Sequence, residues 1–192
     1  MTKATSDHTT QAKTAGTPAE RPPNMPAKSR RRPTSVPKVV TSAPSTRAVA
    51  ALRRWLAGHR ESQSIIDRER RQWLAAREPR HPVLVADRDG RVVGWGSLNQ
   101  FNPRKAYDFV ADFSVYVERA WRGKGVGGAL LRALIGRAKQ LGYHKMVLSA
   151  FPWNAAGMTL YQKYGFRTVG TYKEQGLLDG KWVDTIIMEK IL

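Results

Sequence analysis

The chain is predicted to fold as one α/β domain, a mixed central sheet with flanking helices, preceded by a polar tail. Three observations predict this. Extended apolar runs lie on either side of Asp87-Arg88-Asp89-Gly90 and recur over Val110–Val117. A helical apolar stripe follows between about Ala129 and Leu141, after which strand and helix signals alternate to the C terminus. Between that last strand and the helix lies a glycine run, Arg122-Gly123-Lys124-Gly125-Val126-Gly127-Gly128.

Residues 1–45 are rich in Thr, Ser, Ala, Pro, Lys and Arg and almost devoid of large apolar side chains. Such a segment cannot bury enough surface to offset its ordering entropy, so it reads as a disordered basic tail, with 46–192 as the folded domain. Ser45-Thr46 offers an N-cap to a helix with Val49, Leu52, Trp55 and Leu56 at helical spacing. A second helix fits Ile66 to Arg77, with Ile66, Trp73 and Leu74 as its apolar positions. Pro82–Ala86 and Arg91–Leu98 are the arms of a hairpin, and Val110–Val117 is the next strand. After the glycines, Leu130, Leu131, Leu134, Ile135, Ala138 and Leu141 form one stripe, ended by Gly142. A strand over Lys145–Ser149, a helix from Ala155 to Tyr164 and two strands near Arg167–Tyr172 and Trp182–Lys190 complete the domain.

The charge is +18, from 33 Lys and Arg against 15 Asp and Glu. The first 45 residues hold eight basic and two acidic side chains, so the excess extends well beyond the tail. Such a surface attracts anions in general. The aromatics fall at core-like spacing rather than interleaved with Lys and Arg, so no RNA-binding module is predicted and nucleic acid is expected only as a nonspecific contact of the tail. With no cysteine, disulfides, thiolate metal sites and cysteine nucleophiles are excluded. The histidines, His8, His59, His81 and His144, show no metal-binding spacing, so no metal is expected. No apolar run approaches a membrane span, and Arg30-Arg31-Arg32 leads into Pro33-Thr34-Ser35-Val36-Pro37 rather than an export signal's apolar core. A cytoplasmic protein without a membrane partner is expected.

A glycine-rich turn from strand to helix leaves several N–H groups converging at the positive end of the helix dipole, a receptor for phosphate or pyrophosphate. A Walker loop requires Ser or Thr after its lysine, and Lys124 is followed by glycine. Gly123, Gly125 and Gly128 match a dinucleotide fingerprint by spacing, but no acid ends the following strand near Ser149. Arg-x-x-Gly-x-Gly, at Arg122, Gly125 and Gly127, resembles the acetyl-CoA pyrophosphate loop of the GNAT N-acetyltransferases.

That resemblance extends from about Val83 to Leu192. The chain is similar to the phosphinothricin and arsinothricin N-acetyltransferase group in Ser114-Val115-Tyr116-Val117, the glycine loop, Asn154, Leu160-Tyr161 with Gly165-Phe166, Val169-Gly170-Thr171, Gly180-Lys181-Trp182-Val183-Asp184 and Met188. It implies a GNAT fold with middle strands that splay apart, here Phe113–Val117 and Lys145–Ser149. It implies acetyl-CoA as co-substrate, no metal, and acetyl transfer within a ternary complex to the primary amine of a small amino-acid-like acceptor, including antibiotic analogues. A homodimer would fit the group. Acetyl-CoA would be held by Val115, Tyr116 and Val117, by Arg122, Gly123, Lys124, Gly125, Val126, Gly127 and Gly128, and by Asn154. Asp112 stands where the group carries a glutamate base, and Tyr161 is the candidate acid for the departing thiolate. Arg104, Tyr107, Trp95 and Trp182 would contact the acceptor, with Asn99 and Phe101 as further lining. The chain departs from the group at its start, where the opening strand is either missing or reduced to Val36–Thr41. A protein N-terminal acetyltransferase and a CoA-binding module without turnover remain as alternative readings.

Overall fold

The computed structural model describes residues 38–42 and 72–192. The helix expected over 46–56 lies outside the described residues. So does most of the helix expected over 66–77, whose last turn is helical over residues 72–75. Seven strands form one sheet: β1 (Lys38–Ser42), β2 (Val83–Arg88), β3 (Arg91–Gln100), β4 (Val110–Val117), β5 (Lys145–Ala150), β6 (Arg167–Leu178) and β7 (Lys181–Ile191). Among the described residues, helix α1 (Val126–Gln140) connects β4 to β5 and helix α2 (Ala155–Lys163) connects β5 to β6. The order across the sheet is β1-β2-β3-β4-β5-β7-β6, and only β4 and β5 run parallel. This is the mixed, helix-flanked sheet that the sequence predicts.

The opening strand is not lost. Lys38–Ser42 pairs antiparallel with Val83–Asp87 and forms one edge of the sheet. These five residues fall inside the range read as a disordered tail, which is corrected for them. A five-residue run next to Pro37 is too short to show alternation, and what orders it is the free edge of β2 rather than its own side chains.

Each side of the sheet buries its own apolar set. On one side α1 supplies Leu130, Leu131 and Leu134, which meet Leu98, Phe113 and Met146 from the strands. On the other, Val83, Val85, Val92 and Trp95 are buried together with Trp73 and Leu74 packed against them. Gly94 and Gly96 let α1 lie close to β3, since a Cβ at Gly96 would stand 2.8 Å from Leu134 Cδ1 and 2.9 Å from the Ser114 carbonyl oxygen.

Asp89-Gly90 and Asp179-Gly180 both carry positive φ, the conformation of two-residue hairpin turns, so the two tight hairpins follow local chemistry. The β6–β7 hairpin runs further than the sequence indicates, with register shifts between Thr168 and Gly170 and between Tyr172 and Gly176. No helix among the described residues is long and apolar enough to cross a membrane.

Candidate active site

The sheet opens at its centre. β4 and β5 are paired only from Val110–Asp112 against Lys145–Val147. Beyond that point β4 stays with β3 as far as Val117, and β5 stays with β7 as far as Ala150. Backbone groups alternate sides along an antiparallel strand. Glu118 N–H donates to the Val93 carbonyl at 3.0 Å, which fixes the phase. Tyr116, opposite Trp95, therefore turns its backbone toward β3, whereas Val115 and Val117 turn theirs into the opening, where β5 no longer follows. The expected cofactor strand is thus split: Val115 and Val117 offer backbone donors and acceptors to a ligand, and Tyr116 offers only its side chain.

At the apex of the opening stands Asp112, the last β4 residue paired with β5. Its side chain lies on the side of the sheet away from α1, in register with Asn99 of β3. Asn99 Nδ2 donates to Asp112 Oδ2 at 3.3 Å and lies 3.4 Å from Ser114 Oγ. Burial pushes the Asp112 carboxyl above the usual aspartate range, partly offset by that amide and by the Phe113 backbone N–H. Trp95 and Tyr116 stack beside it, centroids 4.6 Å apart.

The glycine run is less loop and more helix than its sequence suggests. α1 begins at Val126, three residues before the expected start, with Gly125 as N-cap at φ 83°. Ala129 N–H makes the first intrahelical bond, to the Gly125 carbonyl at 3.0 Å, so the N–H groups of Val126, Gly127 and Gly128 have no helical partner. Gly127 and Gly128 serve packing as well. Added Cβ atoms there would lie 3.1 Å from Leu160 Cδ2 and 2.8 Å from Tyr164 Oη, both beside α2. Around Gly123 and Gly125 a Cβ would meet nothing within 4 Å, and their positive φ is what requires glycine. Arg122 Nε donates to the Val117 carbonyl at 3.3 Å, tying the loop to the open strand. These free donors beside two cationic side chains fit a pyrophosphate-bearing ligand.

The model of the acetyltransferase (GNAT) family matches residues 48–166. The chain belongs to the GNAT acetyltransferase family. An L-methionine sulfoximine/L-methionine sulfone acetyltransferase of Pseudomonas paraeruginosa is 38% identical over 122 residues, which are 62% of this chain and 71% of the relative. Among solved structures, a ribosomal-protein-alanine N-acetyltransferase from Brucella melitensis superposes with a TM-score of 0.68 at 31% identity, covering 81% of this chain and 99% of that one. A GNAT superfamily phosphinothricin acetyltransferase from Sinorhizobium meliloti, in complex with acetyl-CoA, gives a TM-score of 0.67 at 26% identity, covering 82% and 89%.

In this GNAT enzyme the remaining predicted residues are spread over several elements. Asn154 caps α2, its Oδ1 accepting from Gly157 N–H at 3.1 Å. Tyr161 is 9% exposed and packs edge-on to Phe113, centroids 5.8 Å apart. Burial pushes its phenol above the ordinary tyrosine range, and the Tyr116 phenol is near enough to push the same way. Trp95, expected at the acceptor, is at 9% exposure a core residue that backs Tyr116. Arg104 and Tyr107 lie on the β3–β4 connection, at the end of β4 away from the mouth of the opening, with Tyr107 against Phe101. Trp182 is 62% exposed on the β6–β7 hairpin, opposite Leu177. Strand pairing brings neither group to Asp112. The GNAT sheet instead presents Ser97, Asn99, Ser114 and Tyr116 there. Their signal lay in the alternation: Asp112, Ser114 and Tyr116 share one side of β4, facing Asn99, Ser97 and Trp95 in register. Arg77, which sequence reasoning gave no role, touches this group through Asn99 at 3.1 Å.

Proposed function

We propose that this enzyme transfers the acetyl group of acetyl-CoA to the primary amine of a small amino-acid-like substrate by direct attack, with Asp112 as the base. The observation that carries it is the coincidence of the open β4 edge, the α1 N-terminus and a half-buried carboxylate at the apex between them. The similarity to an acetyltransferase of methionine analogues supports the acceptor class.

On this reading the α1 N–H groups, with Arg122 and Lys124, bind the pyrophosphate. Val115 and Val117 accept and donate along the pantetheine arm, and one of these N–H groups polarises the thioester carbonyl. Asn154 adds an amide donor from the far side of the opening. An α-amino group enters as an ammonium and must lose a proton before it can attack. Asp112 accepts that proton, and its raised affinity for protons suits it to the task better than an exposed aspartate. Tyr161, whose phenol is pushed above the ordinary tyrosine range by burial, gives its proton to the departing thiolate and regains one from the second proton that the attacking nitrogen sheds as the amide forms.

The 31% identical ribosomal-protein-alanine acetyltransferase supports a second reading, in which the amine is a protein N terminus. Thiol release from acetyl-CoA, measured with free amino acids, methionine sulfoximine, phosphinothricin and alanine-terminated peptides, tests both. Turnover with the small amines and none with peptides supports the first, and turnover with peptides alone supports the second. Tight acetyl-CoA binding with no turnover on any amine overturns both.

A further inference from the structure

Asp112 does not stand alone. Asn99 has one amide oxygen and one amide nitrogen, and the structure leaves little choice about which faces which way. Its Oδ1 accepts from Arg77 Nη2 at 3.1 Å and from Ser97 Oγ at 2.9 Å. Two donors on the oxygen turn Nδ2 toward Asp112 Oδ2 and Ser114 Oγ, because a flipped amide would set donor against donor. Arg77 is itself anchored at several points. Its Nε donates to the His81 carbonyl at 2.7 Å, its Nη2 also donates to the Leu98 carbonyl, and its guanidinium lies over the Trp73 ring at 4.6 Å. Ser97 is fully buried.

We propose that Asn99, oriented by Arg77 and Ser97, is a positioning residue that holds the Asp112 carboxylate ready to accept the substrate's ammonium proton. The proposal rests on the reading of Asp112 as the base. An aspartate side chain is one methylene shorter than a glutamate, and a fixed donor on β3 sets the direction in which it points. Burial favours the acid form, and the Asn99 amide and the Phe113 backbone N–H oppose it by favouring the carboxylate. Among the described residues, those facing Asp112 are Ser97 and Asn99 from β3, Ser114 and Tyr116 from β4 and Val147 from β5, with Arg77 behind Asn99. The ammonium of β5, on Lys145, is engaged with Glu189 of β7.

The test compares pH profiles of kcat/KM for acetyl transfer. Asn99→Asp keeps the shape and both contacts of Oδ1 but replaces the donor with a second carboxylate oxygen. Its acid limb is expected to move up by about one pH unit or more, as for two carboxylates that share a site. Arg77→Met frees the Asn99 amide to flip, and its acid limb is expected to move the same way by less. Acetyl-CoA affinity, read by titration, should match the parent in both variants and reports an intact fold. Acid limbs that coincide with the parent's in both variants overturn the proposal, including where kcat or the melting temperature falls, since that is the signature of a merely structural role. Asp112→Asn separates the two readings. If it abolishes turnover while the limbs stay put, the positioning role fails and the base survives; if it retains turnover, both fail.

Discussion

Replacing Asp112 by Asn changes one heavy atom of the side chain and removes its charge together with its capacity to take a proton. The volume is kept, and an amide oxygen at 112 can still accept from Asn99 Nδ2, which stands 3.3 Å away in the parent. A positioned general base contributes about 10²–10⁴-fold to rate, which is about 2.7–5.5 kcal/mol of barrier. The fall should appear in kcat, with acetyl-CoA affinity unchanged, because the pyrophosphate donors belong to the loop and to α1. Stability should move the opposite way. Burial raises the folded-state affinity of Asp112 for its proton, so the ionised carboxylate is less favourable in the folded chain than in the unfolded one. That penalty is absent below the unfolded pKa and complete above the folded one. The melting temperature of Asp112→Asn should therefore gain on the parent as pH rises from acid to neutral. Initial rates of thiol release over roughly pH 5 to 9, spanning the carboxyl and amine ranges, and thermal melts at each pH measure both. Turnover equal to the parent's at every pH would remove Asp112 from the mechanism; a melting-temperature gain that shrinks toward neutral pH would refute the account of its burial.

Four further outcomes are expected. Tyr161→Phe keeps the ring against Phe113 and Phe166 and should lower kcat by about 10²-fold with little change in melting temperature; an unchanged kcat would leave Tyr161 a packing residue only. Gly96→Ala should cost about 1–3 kcal/mol in urea denaturation, because the Ser114 carbonyl oxygen 2.9 Å from the new Cβ is backbone and cannot step aside. Gly136→Ala, exposed in α1 with nothing within 4 Å of the new Cβ, should gain about 0.5–1 kcal/mol by the same measurement. Glu189, nearly buried and held by Lys145 and then Arg167, has its carboxyl below the usual glutamate range. Its contribution is present above the unfolded pKa and lost as pH falls through the lower folded one, so Glu189→Gln should lower the melting temperature at neutral pH and lose that deficit in acid.

Much of the fold was legible because its signals are local. The two Asp-Gly turns follow from which residues tolerate positive φ. The stripe of α1 follows from a 3.6-residue period that a run of leucines makes unmistakable. The donor-binding loop was legible because glycine is needed there for backbone reasons, although its last two glycines turned out to admit α2 as well. The acceptor side is less legible, because Arg104, Tyr107 and Trp182 match a pattern by position in the chain that strand pairing does not link to Asp112, while Trp95 is buried behind Tyr116. Asn99 was read as one lining residue among several, and Arg77, a lone arginine at the end of a helical segment, as nothing.

The chain's own residues determined the elements, the glycine loop and the family, since each depends on neighbours a few positions apart. Tertiary structure alone decided three things. It recruited Lys38–Ser42 to the sheet, because an edge strand is ordered by the partner it pairs with. It chose Val115 and Val117 over Tyr116 as the exposed backbone, because the phase of a ladder is set by the opposing strand. It joined Arg77 to Asp112 through Asn99, residues 22 and then 13 positions apart, because a hydrogen bond at about 3 Å depends on register across strands and not on separation along the chain.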